Sequence, residues 1–323
     1  MTKSTVVIPN YNGIKYIEAC LNSLYTGETR DFALIVIDNA SADGSYELIQ
    51  EKFPQATIVR NEKNEGFATA VNQGIALSKT PYVILLNNDT EVAPDFILEL
   101  EKVMDADEKL FSASAKMIAL HDKTKMDDAG DFYCALGWAF AFGKGKHPQL
   151  FVQDYDIFAS CAGAAIYRRS CFEQIGMFDE NHFAYFEDID IGYRAKLYGY
   201  RNSFASQAVV YHAGSATSGS RYNTFKTKLA SRNSVYLVYK NMPLWQMILN
   251  SPFLFVGFLT KTLFFVKKGF GKEYIKGLWN GVRLSGSESG RSHKVKLPKE
   301  YTKNYWKVQL ALWKNMGKLL VKQ

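Results

Sequence analysis

Two groups of carboxylate and amide side chains stand at places where the chain could do chemistry. The first is Asn87-Asn88-Asp89, which closes an apolar run at 81–87. Carboxylate and amide oxygens are the ligands that Mg²⁺ and Mn²⁺ prefer, so this group could hold a cation or a charged ligand. The alternative is structural, because Asn and Asp also cap turns at strand ends.

The second group is Glu187-Asp188, at the start of a helix predicted over 187–198. A carboxylate within hydrogen-bond reach of a hydroxyl can act as a general base. The structural alternative is that acidic residues at a helix N-terminus interact favourably with the helix dipole. His212 follows a strand predicted at 204–211 and is either a ligand or a structural histidine.

Alternating elements predict how these residues are positioned. Strands are predicted at 4–9, 32–38, 56–60 and 81–87, and helices at 14–26, 45–52 and 67–78. This alternation indicates an α/β fold with a doubly wound, mostly parallel sheet. Ligands of such sheets bind beyond the carboxyl ends of the strands. We therefore expect Pro9, Tyr11, Asp38 and Asn87 to lie near one edge, with residues 121–150 passing over it.

Composition narrows the class of protein. The chain has 323 residues and four Cys, none in a C-x-x-C pair, which is typical of a reducing compartment and argues against a zinc cluster. No P-loop is present, and no G-x-G-x-x-G follows the first strand. Residues 240–323 carry 16 Lys and Arg against 3 Asp and Glu. Residues 1–239 carry 23 Lys and Arg against 29 Asp and Glu. The basic end indicates a polyanionic partner. No nucleic-acid-binding module accompanies it, so an anionic membrane is expected and nucleic acid is not.

Two C-terminal segments match that expectation. Residues 244–266 are apolar but interrupted by Asn250, Ser251, Pro252 and Lys261. This pattern predicts a poor membrane span and a better interfacial or re-entrant element. Residues 305–321 predict an amphipathic helix with Trp and Leu beside Lys, as at an anionic bilayer surface. The alternative is a helical appendage packed on its own domain or on a partner subunit, which leaves a homodimer open.

Five stretches together carry a resemblance to a known family. They are VVIPNYNG (6–13), VIDNASADGS (36–45), NEGFATAVNQG (64–74), LLNNDT (85–90) and FAYFEDIDIGYR (183–194). In this order and spacing they resemble the inverting glycosyltransferases of family 2, which have the GT-A fold, and within it the bacterial rhamnosyltransferase-like subgroup. The resemblance implies a GT-A domain at 1–240 and leaves 241–323 as a basic, membrane-proximal helical extension.

The resemblance also implies roles for individual residues. The nucleotide-binding residues would be Pro9, Tyr11, Asp38, Asn64, Gly66, Asn87 and Asn88. Asp38 would accept the imide N–H of uracil or thymine, which favours a UDP or dTDP sugar. Asp89 is the last residue of the family's D-x-D motif, whose first carboxylate is here the amide of Asn87. Asp89 and His212 would hold Mg²⁺ or Mn²⁺.

The resemblance assigns catalysis to the second group, Glu187-Asp188. Asp188 would be the general base, and Glu187 would position the acceptor or the base. A Gly/Ser-rich stretch at 214–220, followed by Arg221 and Lys226, could close over the diphosphate, but a solvated surface loop is the preferred interpretation.

These roles predict an inverting transfer of L-rhamnose from dTDP-L-rhamnose to a polyprenyl-diphosphate-linked glycan. The reaction would serve bacterial cell-surface polysaccharide synthesis, with the protein cytoplasmic and peripheral on the inner face of the cell membrane. One alternative is a related transferase that uses a UDP-hexose or UDP-N-acetylhexosamine. Another is a non-catalytic sugar-nucleotide or glycan-binding membrane module. A nucleotidyltransferase would need a Gly/Arg/Lys-rich loop after the first strand, where this chain has PNYNG.

Overall fold

The computed structural model describes residues 2–28, 31–214 and 222–321. The Gly/Ser-rich stretch at 214–220 and Arg221 lie outside the described residues, except for Gly214 at the start of the stretch.

Within the described ranges, twelve strands form one ten-stranded sheet and a separate two-stranded ribbon. They are β1 (Ser4–Asn10), β2 (Phe32–Asp38), β3 (Thr57–Arg60), β4 (Tyr82–Leu86), β5 (Thr90–Val92), β6 (Leu110–Ala119), β7 (Met126–Asp128), β8 (Asp131–Tyr133), β9 (Ala139–Ala141), β10 (Tyr155–Ile157), β11 (Ala164–Arg168) and β12 (Arg201–His212). The ribbon consists of β8 and β9.

Helices cover both faces of the sheet and form the C-terminal region. They are α1 (Ile17–Tyr25), α2 (Ser45–Lys52), α3 (Phe67–Leu77), α4 (Phe96–Ala106), α5 (Phe172–Ile175), α6 (Glu187–Leu197), α7 (Thr224–Asn241), α8 (Leu244–Lys267), α9 (Gly271–Gly286), α10 (Glu288–Ser292) and α11 (Asn304–Val321). The predicted α/β fold class is confirmed.

The sheet order is β10-β12-β6-β11-β4-β1-β2-β3. Strands β4, β1, β2 and β3 are all parallel, whereas β11 is antiparallel to both of its neighbours. The chain runs outward from β1 to β3 and then returns to place β4 on the other side of β1. Such a reversal leaves a crevice at the carboxyl ends of the strands, where ligands bind in open α/β sheets.

Successive residues of β1 enter different cores because side chains alternate across a strand. Val6 and Ile8 pack in the core with α1, α2 and α4, while Val7 packs in the core with α3 and α6. A third cluster joins β12 to the C-terminal helices through Leu237, Leu254 and Leu312. The domain boundary predicted at 240 falls at the end of α7.

Residues 244–266, whose apolar run is interrupted in the sequence, all lie in α8, which is one continuous helix of 24 residues. Pro252 removes the N–H that would bond the Ile248 carbonyl, and the Ser251 hydroxyl donates to that carbonyl instead at 2.8 Å. Asn250 lies buried on the inner side of the helix. By length and composition alone, α8 could cross a membrane.

Candidate active site

A cavity of about 860 Å³ opens at the carboxyl edge of β1 and β4. Ten of the residues predicted to act at a site line it: Pro9, Tyr11, Asn64, Gly66, Asn87, Asn88, Asp89, Glu187, Asp188 and His212. The two groups that are about 100 residues apart in the sequence therefore share one cavity. Residues from the 121–150 segment, including Asp127 and Lys144, line it as well.

Asp38 is the predicted residue that does not line the cavity. It is fully buried, and its carboxylate accepts from the Asn10 amide at 2.8 Å and from the Ser41 N–H at 3.0 Å. Asn10 in turn accepts from the Asn88 amide at 2.8 Å. One hydrogen-bonded chain thus links the ends of β2, β1 and β4. A contact between Asp38 and a base stays a prediction.

Gly66 marks a close approach between the two sides of the cavity. Its φ of +90° lies in the region that favours glycine, and its N–H donates to the Asn64 side chain at 2.9 Å. A Cβ at this position would lie 2.6 Å from the Phe183 ring. A residue with a side chain would therefore have to displace Phe183.

Asp89 and His212 lie side by side at the ends of β4 and β12. The His212 Nε2 atom is 3.4 Å from Asp89 Oδ1, and its Nδ1 atom is 2.7 Å from Asp127 Oδ2. Lys144 forms an ion pair with the same Asp127. A carboxylate on the far nitrogen is the usual partner of a metal-ligating histidine, because it fixes the ring orientation.

Charge around His212 is balanced by its acidic neighbours. Burial lowers the pKa of His212, but hydrogen bonds to Asp127 and Asp89 outweigh burial and raise it to about 9. Burial raises the pKa of Asp127, and its bonds to His212 and Lys144 bring it down to about 2. A divalent cation could replace the proton on Nε2, so the donor set of Asp89 and His212 fits Mg²⁺ or Mn²⁺.

The loop that leads into α6 has an unusual backbone. Phe183, Tyr185 and Phe186 all have positive φ, between 63° and 72°, a conformation that costs about 1–3 kcal/mol for each such residue. Asn233 of α7 holds this loop, because its buried side-chain amide lies 2.7–2.9 Å from three carbonyl oxygens, those of His182, Ala184 and Tyr185.

Glu187 and Asp188 follow this loop directly and face the cavity. Burial raises the pKa of both carboxyls, and the negative charge of Asp188 raises the pKa of Glu187 further. The Ile189 N–H donates to Asp188 at 2.7 Å. The buried Glu187 Oε2 atom has no hydrogen-bond partner among the described residues. A raised pKa strengthens Asp188 as a base, and Glu187 has an oxygen available for a ligand.

A further acidic cluster was not predicted. Ligand atoms of Asp128, Asp131 and Cys161 lie within 4.8 Å of one another, and all three residues line the same cavity. Burial raises the pKa of Asp128 to about 7. The available signal was the density of carboxylates in DDAGD at 127–131. Asn233 offered no such signal, because its partners are backbone carbonyls.

Comparison with known proteins gives consistent results. Residues 5–176, more than half of the chain, match the family model of Glycosyl transferase family 2. The N-acetylglucosaminyl-diphospho-decaprenol L-rhamnosyltransferase of Mycobacterium tuberculosis is 25% identical over 239 residues, covering 66% of this chain and 77% of that protein. A teichoic acid poly(glycerol phosphate) polymerase of Staphylococcus epidermidis is 33% identical over 112 residues, 33% of this chain and 16% of that protein.

Solved structures share the fold. GalNAc-T7 with UDP, GalNAc and Mn²⁺ superposes with a TM-score of 0.60 at 17% identity, covering 74% of this chain and 48% of that one. The mannosyltransferase PcManGT of Pyrobaculum calidifontis, with GDP-Man and Mn²⁺, gives 0.55 at 18% identity, covering 95% and 87%. At these identities the likeness shows the GT-A fold alone.

Proposed function

The chain belongs to glycosyl transferase family 2 and is a glycosyltransferase, and on that premise we propose an inverting transfer of L-rhamnose from dTDP-L-rhamnose to a polyprenyl-diphosphate-linked glycan. The observation that carries an inverting transfer is the cavity itself. It brings Asp188, whose pKa is raised, together with the Asp89–His212 pair. The mycobacterial relative supports the choice of sugar and acceptor.

The proposed reaction is a single displacement. The acceptor hydroxyl oxygen forms a bond to the anomeric carbon of the sugar while the bond from that carbon to the diphosphate oxygen breaks. The diphosphate leaves with the electron pair, and the hydroxyl proton passes to the Asp188 carboxylate. Glu187 orients the acceptor through its Oε2 atom, to which no residue in the described part of the chain donates a hydrogen bond.

The leaving group departs on the other side of the cavity. A Mg²⁺ or Mn²⁺ ion held by Asp89 and His212 would neutralise the charge that develops on the diphosphate. Asp127 orients the His212 ring for this role. The neutral Asn87 side chain adds no negative charge to the metal site. We therefore propose that the donor's own diphosphate supplies much of the affinity for the metal ion. Tyr11 and Asn64 line the part of the cavity proposed for the nucleotide.

The proposed location follows from the proposed acceptor. A polyprenyl-linked glycan is fixed in the bilayer, so the enzyme works peripherally on the cytoplasmic face of the cell membrane. The basic excess of residues 240–323 supports contact with anionic lipid.

The test is a transfer assay with purified protein, Mg²⁺ or Mn²⁺, a panel of dTDP, UDP and GDP sugars, and a short-chain lipid-diphosphate glycan. We expect product from dTDP-L-rhamnose with an inverted anomeric configuration. Asp188→Asn should lower kcat about 10³-fold, within the range typical of a lost general base.

Asp95→Asn is the matched control, because Asp95 does not line the cavity, and it should keep kcat. Transfer only from a UDP sugar would identify the alternative donor class. Nucleotide binding without turnover of any donor would identify a binding module, and an active Asp188→Asn protein would refute the proposed base.

A further inference from the structure

Helix α8 has its polar side inward and its apolar side outward. The buried residues are Gln246, Asn250, Leu254 and Gly257, spaced by four and three, so they form one stripe. Gln246 accepts from the Tyr193 hydroxyl at 2.9 Å, and Asn250 exchanges two hydrogen bonds of 2.8 Å with Gln309 of α11. Two of the four inward positions are therefore amides that hold the helix to its own domain.

The outward side is built of large apolar residues. On α8 these include Leu244, Ile248, Phe255 and Leu263, which are 61–70% exposed. The surface continues onto α11, where the Trp306 ring lies 4.6 Å from the Trp245 ring, and Leu310 follows at 61% exposure. It also continues onto α9, which exposes Ile275, Trp279 and Val282. We call this three-helix surface the apolar face.

A contiguous apolar surface of this kind marks an interaction site rather than an ordinary protein surface. Exposed basic residues accompany it on the same helices or directly beside their ends: Lys267, Lys268, Lys272, Lys276, Arg283, Lys303 and Lys307. Apolar side chains bordered by Lys and Arg match the acyl chains and headgroups of an anionic bilayer. A second copy of the chain fits less well, because pairing the same region would bring two large positive charges together.

The attachment of α8 decides its orientation in the bilayer. Trp138 donates its indole N–H to the Gly257 carbonyl at 3.0 Å, and a side chain at Gly257 would lie 2.0 Å from the Leu136 carbonyl oxygen. Tyr222 packs on Phe264, near the other end of the helix. The polar domain therefore lies against one side of α8 along most of its length. A spanning helix would carry that domain into the hydrocarbon.

We propose that the apolar face binds the anionic phospholipid surface of the membrane, with α8 lying in the membrane plane instead of crossing it. The side chains of the apolar face would then enter one leaflet, and the Lys and Arg residues would reach its headgroups. The bilayer is the partner, and the apolar face is the part of the molecule that inserts.

This orientation also places the cavity beside the membrane surface. The use of that placement by a lipid-linked acceptor rests on the proposed function. Gly137 and Trp138 pack on α8, and the residues that follow them in β9 line the cavity. Phe225 and Lys226, which also line the cavity, follow Tyr222. A lipid-linked diphosphate in the leaflet would meet the cavity beside α8, so its glycan could enter without leaving the bilayer.

Vesicle co-sedimentation of the full chain tests the binding surface. The wild-type protein should bind phosphatidylglycerol vesicles, bind phosphatidylcholine vesicles more weakly, and lose affinity for the former as salt rises. Phe255→Asp combined with Leu263→Asp should raise the Kd for phosphatidylglycerol vesicles at least about tenfold, since each change removes a large apolar side chain from the leaflet. Leu77→Asp on α3 is the matched control, because Leu77 is an exposed leucine outside the apolar face, and its Kd should stay within about twofold of wild type.

Spin-label depth measurements test the orientation. Single cysteines replacing Ile248, Phe255 and Leu263, labelled with a nitroxide, should report similar shallow depths. A spanning helix would place position 255 near the bilayer centre and the other two nearer the interfaces, which would overturn the in-plane arrangement. Equal binding by the double variant and wild type, or a wild-type dimer that the double variant dissociates without any vesicle binding, would overturn the surface itself.

A soluble acceptor separates this inference from the proposed function. The double variant should transfer sugar to a water-soluble short-chain acceptor at the wild-type rate and lose activity on vesicle-embedded acceptor. If the wild-type protein binds vesicles through the apolar face but transfers no sugar to either acceptor, the proposed function fails and the membrane surface stands.

Discussion

On the strand side of the cavity the buried polar side chains bond to one another, whereas on the helix side the backbone is strained and one buried carboxylate oxygen has no partner among the described residues. The strand-side wall contains Asn10 and Asn88, and Asp38 lies behind it, joined to Asn10 as Asn10 is joined to Asn88 by hydrogen bonds of 2.8 Å. The helix-side wall is the segment 183–188, with three positive-φ residues and the open Glu187 oxygen. The first wall is complete before any ligand binds. The second wall has a hydrogen-bond acceptor, the Glu187 Oε2 atom, that a bound ligand could use.

This difference indicates a division of labour. A satisfied network is rigid and suits the binding of one substrate in a fixed pose, whereas strain and raised pKa values are typical of the place where bonds change. Changes to the helix-side wall should therefore lower kcat, and changes to the strand-side wall should raise KM for the donor.

Among the variants that test the difference between the two walls, Asn233→Ala should have the largest effect on kcat. Loss of the amide releases three carbonyls of the loop before Glu187, so Asp188 would lose its position. We expect kcat to fall about 100-fold, the cost of a small misplacement at a reacting centre, with KM for the donor unchanged. Steady-state kinetics with saturating acceptor measures both constants.

Asn315→Ala is the matched control for that variant. Asn315 is also buried and donates to one backbone carbonyl, that of Tyr133, at 2.9 Å, but it does not line the cavity. Both variants should lower the free energy of unfolding by about 1–3 kcal/mol, and only the first should lower kcat. Equal kcat values for the two variants would mean that Asn233 is merely structural.

The next effect should come from Asp127→Asn, which tests whether His212 serves a metal. Without the carboxylate on Nδ1 the ring loses its fixed orientation, and the Mn²⁺ concentration for half-maximal activity should rise about 10–100-fold. Asp122→Asn, an exposed acid in the same segment, should leave it unchanged. Identical metal titrations for Asp127→Asn and wild type would remove His212 from the proposed metal site.

A smaller effect should come from Asp38→Asn, which acts behind the strand-side wall through Asn10. The change places an N–H₂ group where the carboxylate accepts from Asn10 or Ser41. We expect KM for the donor to rise about tenfold, as for a lost hydrogen bond to a charged group, with kcat within about twofold. A fall in kcat at unchanged KM would contradict the division between the two walls.

The smallest effect is a shift in the pH profile. Asp188 accepts a proton only as a carboxylate, so kcat falls as pH falls through its folded pKa. Burial raises that pKa above 3.8, so the acid limb should begin at a higher pH than an ordinary aspartate would give. Measured kcat from pH 4 to 8 should show this limb, and an acid limb centred at or below 3.8 would be inconsistent with the environment of Asp188.

Sequence reasoning located the strand ends well because β–α alternation fixes which residues share a sheet edge. It could not foresee that Asp38 would be buried by Asn10 and Ser41, since those contacts depend on packing between strands. Nor could it show how α8 accommodates Asn250 and Pro252 within one continuous helix. Asn250 finds its partner 59 residues later in Gln309, and Ser251 repairs the break at Pro252.

The contact between Gly66 and Phe183 has a consequence for the order of events at the cavity. Gly66 belongs to the nucleotide side and Phe183 to the loop before the proposed base, and the Ala68 N–H also donates to the Phe183 carbonyl at 3.2 Å. A donor that shifts Gly66 must therefore shift Phe183. By thermodynamic linkage, an acceptor that fixes Phe183 changes donor affinity by the same factor. The two substrates are then cooperative ligands, and their order of addition can be read from binding measured with and without the other.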